Sequence, residues 1–500
     1  MNNWLPVPVL LPMFGAAATL LLGRRPRLQR WVSIATLSGV VVVVALLGWE
    51  AHVHGVQTLW FGAWPGTAGI VMVADRLASL MLLVASLVSL AVLVFSTGQD
   101  EAEVRAETPV SIFHPTFLLL CAGVSNAFLA GDLFNLFVGF EILLFASYVL
   151  LTLGGTGARI RAGSIYAVVN LLSSSLFLVA IAMIYAATGT VNLAQLSQRL
   201  AELPPDVQGI LQAMLLTVFG IKAAVFPLSA WLPDSYPTAP APVTAVFAGL
   251  LTKVGIYAIM RTQTVLFPHR PLTDILLVLA LATMLIGIMG AIAQSELKRL
   301  LSFTLVSHIG YLLLGIALAT AGGLAASIFY TAHHITIQAS LFLVAGLVAR
   351  VGGSTSLDKL NGLASISPLL GALFFIPAMN LAGIPPFSGF IGKVGLLTAS
   401  ADLGTPLAWI LVAGSVLTSL LTLLAIAKAW NRAFWGEPMK LHRTPGERLM
   451  PPVMVFATCA LIVMSLALTF SAGWLYDYCQ QAAASLLSGD YTRVVLGGRQ

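Results

Sequence analysis

The chain contains 500 residues, of which 58% are hydrophobic and only 9% are charged, and its formal net charge at pH 7 is +6. Soluble domains average about 25% charged residues, so this composition excludes an ordinary soluble protein and predicts an integral membrane protein. The three cysteines are widely separated and no glycine-rich phosphate loop is present. We therefore expect no disulfide framework, no metal site and no bound nucleotide or other cofactor.

Apolar segments recur along the whole chain, each long enough to cross the hydrocarbon layer as a helix of about 20 residues. We therefore predict an all-α polytopic membrane protein. Its fourteen transmembrane helices are expected at roughly 5–22, 31–49, 72–95, 113–130, 132–153, 163–187, 207–229, 242–261, 273–293, 302–320, 324–348, 368–398, 406–428 and 451–474. An even number of spans places both termini on the same side of the membrane.

The distribution of basic residues predicts the orientation of these spans, because cytoplasmic loops carry an excess of lysine and arginine. The loops that follow odd-numbered spans contain Arg24, Arg25, Arg27, Arg30, Arg105, Arg159, Arg161, Lys298, Arg299, Arg350, Lys359, Arg432, Lys440, Arg443 and Arg448. The opposite side contains fewer, namely Arg76, Arg199, Arg261, Arg270, Arg493 and Arg499. We therefore expect the odd-span loops in the cytoplasm and both termini outside it.

Two spans contain clusters of proline and glycine that should break their helices at membrane depth. The seventh reads FGIKAAVFPLSAWLPDSYPTAPAPV and the twelfth reads IPAMNLAGIPPFSGFIGK. Proline removes a backbone donor and clashes with the preceding turn, so each break frees carbonyl groups inside the membrane. The alternative is a pair of ordinary proline kinks, which are common in membrane helices.

The two breaks lie five spans apart, and an odd offset reverses a segment across the membrane. This spacing predicts two inverted five-helix repeats with a functional site at their interface. We expect the first repeat, helices 4–8, at residues 113–261 and the second, helices 9–13, at residues 273–430. Helices 1–3 (1–112) precede them, and helix 14 with a tail (431–500) follows.

Ionisable side chains lie deep in several spans, although a charge at the bilayer centre costs about 2.5–3.5 kcal/mol on insertion scales. They are Glu141 in span 5, Lys222 in span 7, Lys253 in span 8, His333 and His334 in span 11, and Lys393 in span 12. These residues predict a proton relay, in which Glu141 and Lys222 form a pair that switches when the lysine moves to another partner. The alternatives are a static ion pair, and lysines that only satisfy carbonyls at the breaks.

Span 11 also carries Ser327, Thr331, His334 and Gln338 on one helical face, as expected for a hydrated stripe. Thr331 and Gln338 are therefore further relay candidates. His308 in span 10 is another, balanced between an entry-path group and a structural one. For every histidine the alternative is a hydrogen-bonded core residue.

Four segments resemble the antiporter-like membrane subunits of respiratory complex I, and look closest to the D subunit of the multisubunit Mrp/Mnh/Pha cation/proton antiporters. They are DLFNLFVGFEILLFASYVLL, FGIKAAVFPLSAWLPDSYPTAPAPVTAVFAGLLTKVGIYAIMR, SELKRLLSFTLVSHIGY and NLAGIPPFSGFIGK. The resemblance implies fourteen helices, an inverted five-helix repeat and broken helices 7 and 12. It also implies key roles for Glu141, Lys222, Lys253 and Lys393, and for the two histidines of helix 11.

The resemblance further implies a function. The chain is expected to be a non-enzymatic transport subunit of the bacterial inner membrane that moves protons to drive export of Na⁺ or K⁺, in a complex with other antiporter subunits. Lys393 and the short tail leave the D subunit or the complex I subunit numbered 2 as the family members that this chain resembles. The sequence around Glu141 and Lys393 resembles the D subunit more. The alternative is a proton-pumping subunit of complex I or of a membrane-bound hydrogenase.

Overall fold

The computed structural model describes residues 4–62, 69–99, 109–268, 272–438 and 450–497. Its helices, in chain order, are α1 (Val7–Leu21), α2 (Pro26–His54), α3 (Arg76–Thr97), α4 (Val110–Leu129), α5 (Leu133–Thr152), α6 (Gly157–Thr188), α7 (Leu193–Arg199), α8 (Pro205–Ala223), α9 (Trp231–Ser235), α10 (Ala241–Val265), α11 (Thr273–Ala293), α12 (Leu297–Ala317), α13 (Ala321–Gly352), α14 (Leu363–Ile366), α15 (Pro368–Ala382), α16 (Ser388–Asp402), α17 (Pro406–Phe434), α18 (Pro452–Phe470), α19 (Ala472–Leu487) and α20 (Asp490–Gly497). Strands β1 (Gln57–Trp60) and β2 (Val71–Ala74) form an antiparallel hairpin that pairs Gln57 with Ala74.

The all-α polytopic prediction is confirmed. Within the described ranges, eleven helices are long and apolar enough to cross a membrane, and α1 and α15 are shorter apolar helices. The total of fourteen spans stays a prediction. The orientation also stays a prediction, because part of the charge pattern on which it depends lies outside the described residues, at Arg105, Arg270, Lys440, Arg443, Arg448 and Arg499.

The two predicted breaks occur where the prolines and glycines place them. The seventh span ends as a helix at Ala223, and the next residue, Ala224, adopts a left-handed conformation. The twelfth is divided into α15 and α16 by a turn that begins at Gly383, with φ +85°. The fourteenth span is shorter than predicted: α18 ends at Phe470, and the separate helix α19 begins at Ala472.

Backbone groups freed by the breaks find side-chain partners, as they must where water is scarce. The amide of Phe226 donates to Thr283 Oγ1 of α11 at 3.1 Å. The amide of Ser388 donates to Thr469 Oγ1 of α18 at 3.0 Å. Each break is therefore fixed to a helix far away in the sequence.

The starts of α5 and α12 share two features, an acidic N-cap residue and a β-bridge from that residue to the chain that follows the next helix. Asp132 caps α5 by accepting a hydrogen bond from the Asn135 amide at 2.6 Å, and it forms a β-bridge with Asn192, after α6. Glu296 caps α12 in the same way and forms a β-bridge with Ser356, after α13. These matching features are what two repeats require, and the repeat relation itself stays a prediction.

Helix α13 lies at the centre of the bundle and contacts α3, α10, α12, α16, α18 and α19. Helix α10 is enclosed even more completely, since its most apolar 18-residue window is 100% buried. Polar side chains on these two helices therefore face protein and not lipid. This burial positions the site described next.

Candidate functional site

Lys253 lies in the completely buried part of α10, with 0% of its surface exposed. It follows a π-helical turn, Phe247–Leu251, and its Nζ donates a hydrogen bond to the Ala248 carbonyl within that turn. Single π-turns in α-helices occur frequently at functional sites, because the widened turn changes which backbone groups are paired. The turn thus gives Lys253 a neutral partner in a region where hydration is lost.

Three histidines form one cluster beside Lys253. The rings of His308 and His334 stack with centroids 5.2 Å apart. His333 Nδ1 lies 2.9 Å from Ser388 Oγ, at the start of α16. Lys253 is close enough to His334 to interact with it electrostatically. The predicted relay histidines of α13 are therefore brought together with His308, which the sequence left undecided.

Several ring nitrogens of this cluster have no hydrogen-bond partner in the described structure. They are Nε2 of His308, Nε2 of His333, and both nitrogens of His334. Buried polar atoms are nearly always paired with protein or water. These nitrogens are not occupied by protein partners, so water can bind them and bridge the gaps of a proton relay.

Lys393 occupies the second break. Its Nζ donates to the Ala382 carbonyl at 2.9 Å and to the Leu381 carbonyl at 3.3 Å, the last carbonyls of α15. The Tyr311 ring lies below the ammonium group, with its centroid 5.0 Å from Nζ. Lys393 therefore does bond to carbonyls at the helix break, as the alternative interpretation expects. This bonding does not exclude a relay role.

Lys222 lies at the first break, where α8 ends, and is only 4% exposed. Its Nζ donates to Ser174 Oγ of α6 at 3.2 Å and lies 4.9 Å from the centroid of the Phe140 ring. Next to it along α8, Ala223 is packed so tightly against Gly255 of α10 that a Cβ at Gly255 would lie 2.7 Å from the Ala223 amide nitrogen. This contact brings the first break beside the helix of Lys253.

Glu141 and Lys222, both within the described ranges, do not form the direct ion pair that the sequence predicts. Consecutive residues of a helix point about 100° apart, and α5 directs Phe140 at Lys222. Glu141 is half-buried and lines a lateral groove of about 480 Å³ between α1, α4 and α5. It is still near enough to interact with Lys222 electrostatically, while its Oε1 atom has no partner.

The remaining polar stripe of α13 is mostly occupied by local hydrogen bonds. Thr331 donates to the Ser327 carbonyl at 2.7 Å, so its hydroxyl proton is used within the helix. Gln338 Nε2 donates to the Leu301 carbonyl of α12 at 2.8 Å, and its Oε1 atom has no partner. Of the two, Gln338 is the one with an unused acceptor.

Sequence reasoning missed the aromatic partner of the histidines. The Tyr330 hydroxyl lies 2.8 Å from His308 Nδ1, and its ring centroid lies 5.2 Å from that of His333. Tyr330 precedes His334 by four residues, so it occupies the same helical face one turn away. This spacing could have predicted the contact. A tyrosine in an apolar span is uncharged, however, so its presence there does not by itself indicate a functional residue.

The second omission is a buried ion pair. Arg261, predicted as the last residue of span 8 and counted with the basic residues of that side, is inside α10 with 2% exposure. Its two terminal nitrogens donate to Asp75 Oδ2 and Oδ1 at 2.5 and 2.8 Å. Burial opposes ionisation of Asp75, but the Arg261 guanidinium outweighs it and holds the pKa of this carboxyl below its usual range. Lys253, Tyr257 and Arg261 lie at i, i+4 and i+8 on one face of α10.

The chemistry available to the site is proton transfer. Within the described residues, no group of three or more His, Cys, Asp or Glu side chains could hold a metal ion. Taking a charge out of water costs several kcal/mol even after relaxation, and Lys222, Lys253 and Lys393 have only neutral hydrogen-bond partners. A neutral partner does not hold a lysine in its charged form as a carboxylate would, and this leaves the lysine able to pass a proton on.

The chain is similar to known proteins over most of its length. The family described as NADH:quinone oxidoreductase/Mrp antiporter, transmembrane, matches residues 130–420. A protein of Alkalihalophilus pseudofirmus, named as the D subunit of a Na⁺/H⁺ antiporter, is 40% identical over 97% of this chain and 98% of its own length. A chain of the Mrp complex from Dietzia sp. DQ12-45-1b superposes with a TM-score of 0.91 at 34% identity, covering 99% and 100% of the two chains. A chain of the archaeal membrane-bound sulfane sulfur reductase gives 0.89 at 25% identity, covering 98% and 99%.

Proposed function

Because the chain belongs to the NADH:quinone oxidoreductase/Mrp antiporter family, we propose that it is the proton-translocating D subunit of a multisubunit Na⁺/H⁺ antiporter. The relative from Alkalihalophilus pseudofirmus, which aligns with nearly the whole of this chain, is named as such a subunit. The protein of the Mrp complex that superposes on it is likewise part of an assembly. In this function the chain is a transporter subunit and works together with partner subunits.

The observation that carries the proposal is one row of buried protonatable groups between the two helix breaks. It begins at Lys222, continues through Lys253 to His334 and His308, and ends at Lys393. Lys253 is near enough to His334 to interact with it electrostatically, and Lys393 is near enough to His308. The packing of Ala223 against Gly255 brings Lys222 beside the helix of Lys253. Such a row lets a proton advance by short transfers, and water can bridge the longer gaps.

Charge repulsion couples the protonation of one group in the row to the protonation of the next. When one lysine takes up a proton, its positive charge disfavours protonation of the next basic group. In a medium of low dielectric constant this repulsion is stronger than in water. A proton that enters at one break therefore promotes release of another further along the row.

Glu141 supplies the acidic end of the proposed mechanism. Its carboxylate is near enough to interact electrostatically with Lys222, and the same residue lines the lateral groove. A basic side chain from a partner subunit seated in that groove would compete for the carboxylate and weaken its hold on Lys222. Binding of a partner subunit in the groove would in this way affect proton uptake by Lys222. The transported cation is proposed to bind at least partly outside this chain.

The second candidate is a redox-driven proton pump. It is favoured by the family description, which includes NADH:quinone oxidoreductase, and by the likeness to the sulfane sulfur reductase chain. The same row of lysines would serve either function. The two differ in what drives the protons, so the test concerns the driving reaction.

The experiment uses everted vesicles that contain the complete complex, with a pH-sensitive dye inside. For an antiporter, adding Na⁺ or K⁺ moves protons without any electron donor, whereas a redox pump moves them only when a donor is supplied. We expect Lys253→Ala to abolish the cation-dependent signal. The exposed Lys359 provides the control Lys359→Ala, which should behave as wild type. Full exchange by the Lys253 variant, at equal complex content, would contradict the proposal.

A further inference from the structure

A lateral slot of about 420 Å³ lies between α2, α3, α18 and α19, apart from the lysine and histidine row. Its lining residues recur at helical spacing, so each helix presents one face to the gap. The deeper part is apolar, with Ala45 of α2, Leu83 and Leu87 of α3 and Leu468 of α18 among its walls. The slot is therefore a place where four neighbouring helices do not fill the space between them.

The mouth of the slot lies at the membrane boundary. Trp49 and Trp474 border it and are 66% and 65% exposed, as expected for the tryptophans that gather at membrane–water interfaces. His52 lies in the last turn of α2, and Arg76 is the first residue of α3. The slot thus opens at head-group level and runs towards the membrane centre.

Polar atoms at this mouth have no partner in the described structure. They are His52 Nδ1, Arg76 Nε and Ser79 Oγ, and Ser79 is only 1% exposed. The position of Arg76 is fixed, because one of its terminal nitrogens donates to the His52 carbonyl at 2.9 Å. The Tyr478 ring stacks on His52 with a centroid distance of 5.6 Å. A fixed guanidinium and two unused polar groups fit the oxygens of a phosphate.

Two carboxylates close to Arg76 and His52 in the sequence, Glu50 and Asp75, are already paired and leave the charge of Arg76 available to a ligand. Glu50 lies 2.9 Å from His54, one turn along α2. Asp75, the residue before Arg76, is held by Arg261. An anion at the mouth would therefore meet Arg76 without displacing an existing ion pair.

The dimensions of the slot decide its occupant. From Ser79 to Leu87 it extends about 12 Å along α3, whereas a helix of a partner protein needs about 30 Å to cross the hydrocarbon layer. A single flexible acyl chain fits a short, narrow gap that is open sideways. We propose that this slot binds a phospholipid with an anionic head group, with the phosphate at Arg76 and His52 and one acyl chain between Gly48 and Leu468.

The test uses the complete complex in nanodiscs that contain phosphatidylglycerol with a photoreactive acyl chain, and mass spectrometry locates the labelled residues. We expect labelling to concentrate in 45–52, 79–87 and 464–475. A matched phosphatidylcholine probe should label these segments about fivefold less, because one basic residue near the membrane surface contributes this much to binding an anionic lipid. Equal labelling by both probes would refute the head-group recognition.

Two variants test the binding of the acyl chain and the recognition of the head group. At Gly48 the nearest atom to an added Cβ is Ser79 Cβ at 4.0 Å, so Gly48→Phe places a ring in the slot and should remove most of the labelling. Gly209→Phe is the control, since nothing lies within 4 Å of its Cβ position. Arg76→Gln should keep the tail labelling and lose the preference for phosphatidylglycerol. Labelling that persists in Gly48→Phe, or cross-links from this site to a partner subunit, would overturn the proposal.

Discussion

Gly383, at the second helix break, offers a sharp test of whether the position of Lys393 matters. Its φ of +85° favours glycine. A Cβ added there would lie 2.9 Å from Lys393 Cδ and 3.1 Å from its Nζ. Ordinary carbon contacts are about 3.5–4.0 Å. Gly383→Ala must therefore push the lysine side chain away by roughly 0.5–1 Å.

The displacement is large enough to break the lysine's hydrogen bonds. The bonds from Nζ to the Ala382 and Leu381 carbonyls measure 2.9 and 3.3 Å. An added 0.5–1 Å lengthens them to about 3.4–3.9 and 3.8–4.3 Å, beyond the usual range of about 2.7–3.2 Å. A bond from a charged donor contributes about 1.5–3 kcal/mol. If that contribution holds the lysine in its working position, exchange should fall roughly ten- to hundredfold.

Gly404→Ala is the matched control, because Gly404 has φ +66° and nothing within 4 Å of its Cβ position. Both variants carry the left-handed alanine penalty of about 1–2 kcal/mol, and only Gly383→Ala touches Lys393. The assay is Na⁺-dependent proton movement in everted vesicles, normalised to the amount of assembled complex. Equal exchange in the two variants would refute the reasoning.

Three further predictions concern single side chains. Tyr330→Phe removes the hydroxyl that holds His308 Nδ1 at 2.8 Å; we expect slower exchange with a shifted pH optimum, read from pH profiles in vesicles. Asp75→Asn leaves Arg261 as an uncompensated buried charge and should cost about 3–5 kcal/mol of stability at neutral pH; the loss should shrink as pH falls through the lowered pKa of Asp75, where the wild-type carboxyl is also neutral. Burial raises the pKa of Asp132 to about 6, so wild-type stability should decrease as pH rises from about 4 to 6, by up to about 3 kcal/mol; Asp132→Asn, which can still cap α5, should remove that dependence in thermal unfolding.

Each of these predictions has a contrary result. Tyr185 is 55% exposed, so Tyr185→Phe should leave the pH profile unchanged, and an equal shift in both tyrosine variants would show a general effect. An Asp75→Asn protein as stable as wild type at pH 7 would show that the ion pair contributes little. A pH dependence that persists in Asp132→Asn would assign it to another group.

The sequence was most informative where a residue type conflicted with its surroundings. Lysines and histidines in apolar runs, and prolines within spans, are costly enough to stand out, and Lys222, Lys253 and Lys393 all proved to be buried. The direction in which Glu141 points could not be predicted, because the rotation of α5 depends on how Phe140 packs against a distant helix. The partners Asp75 and Arg261 are 186 residues apart, and no local pattern joins them.

This ion pair has a consequence for energy conservation. An uninterrupted proton path between the two aqueous phases would let protons leak across the membrane and dissipate the gradient that drives transport. Beyond Lys253 the polar stripe of α10 ends at Arg261, whose guanidinium does not give up its proton, joined to a carboxylate whose pKa lies below its usual range. Neither group exchanges protons at neutral pH. The pair therefore does not pass protons on at this end of α10, and the proposed proton route leads through the second break instead.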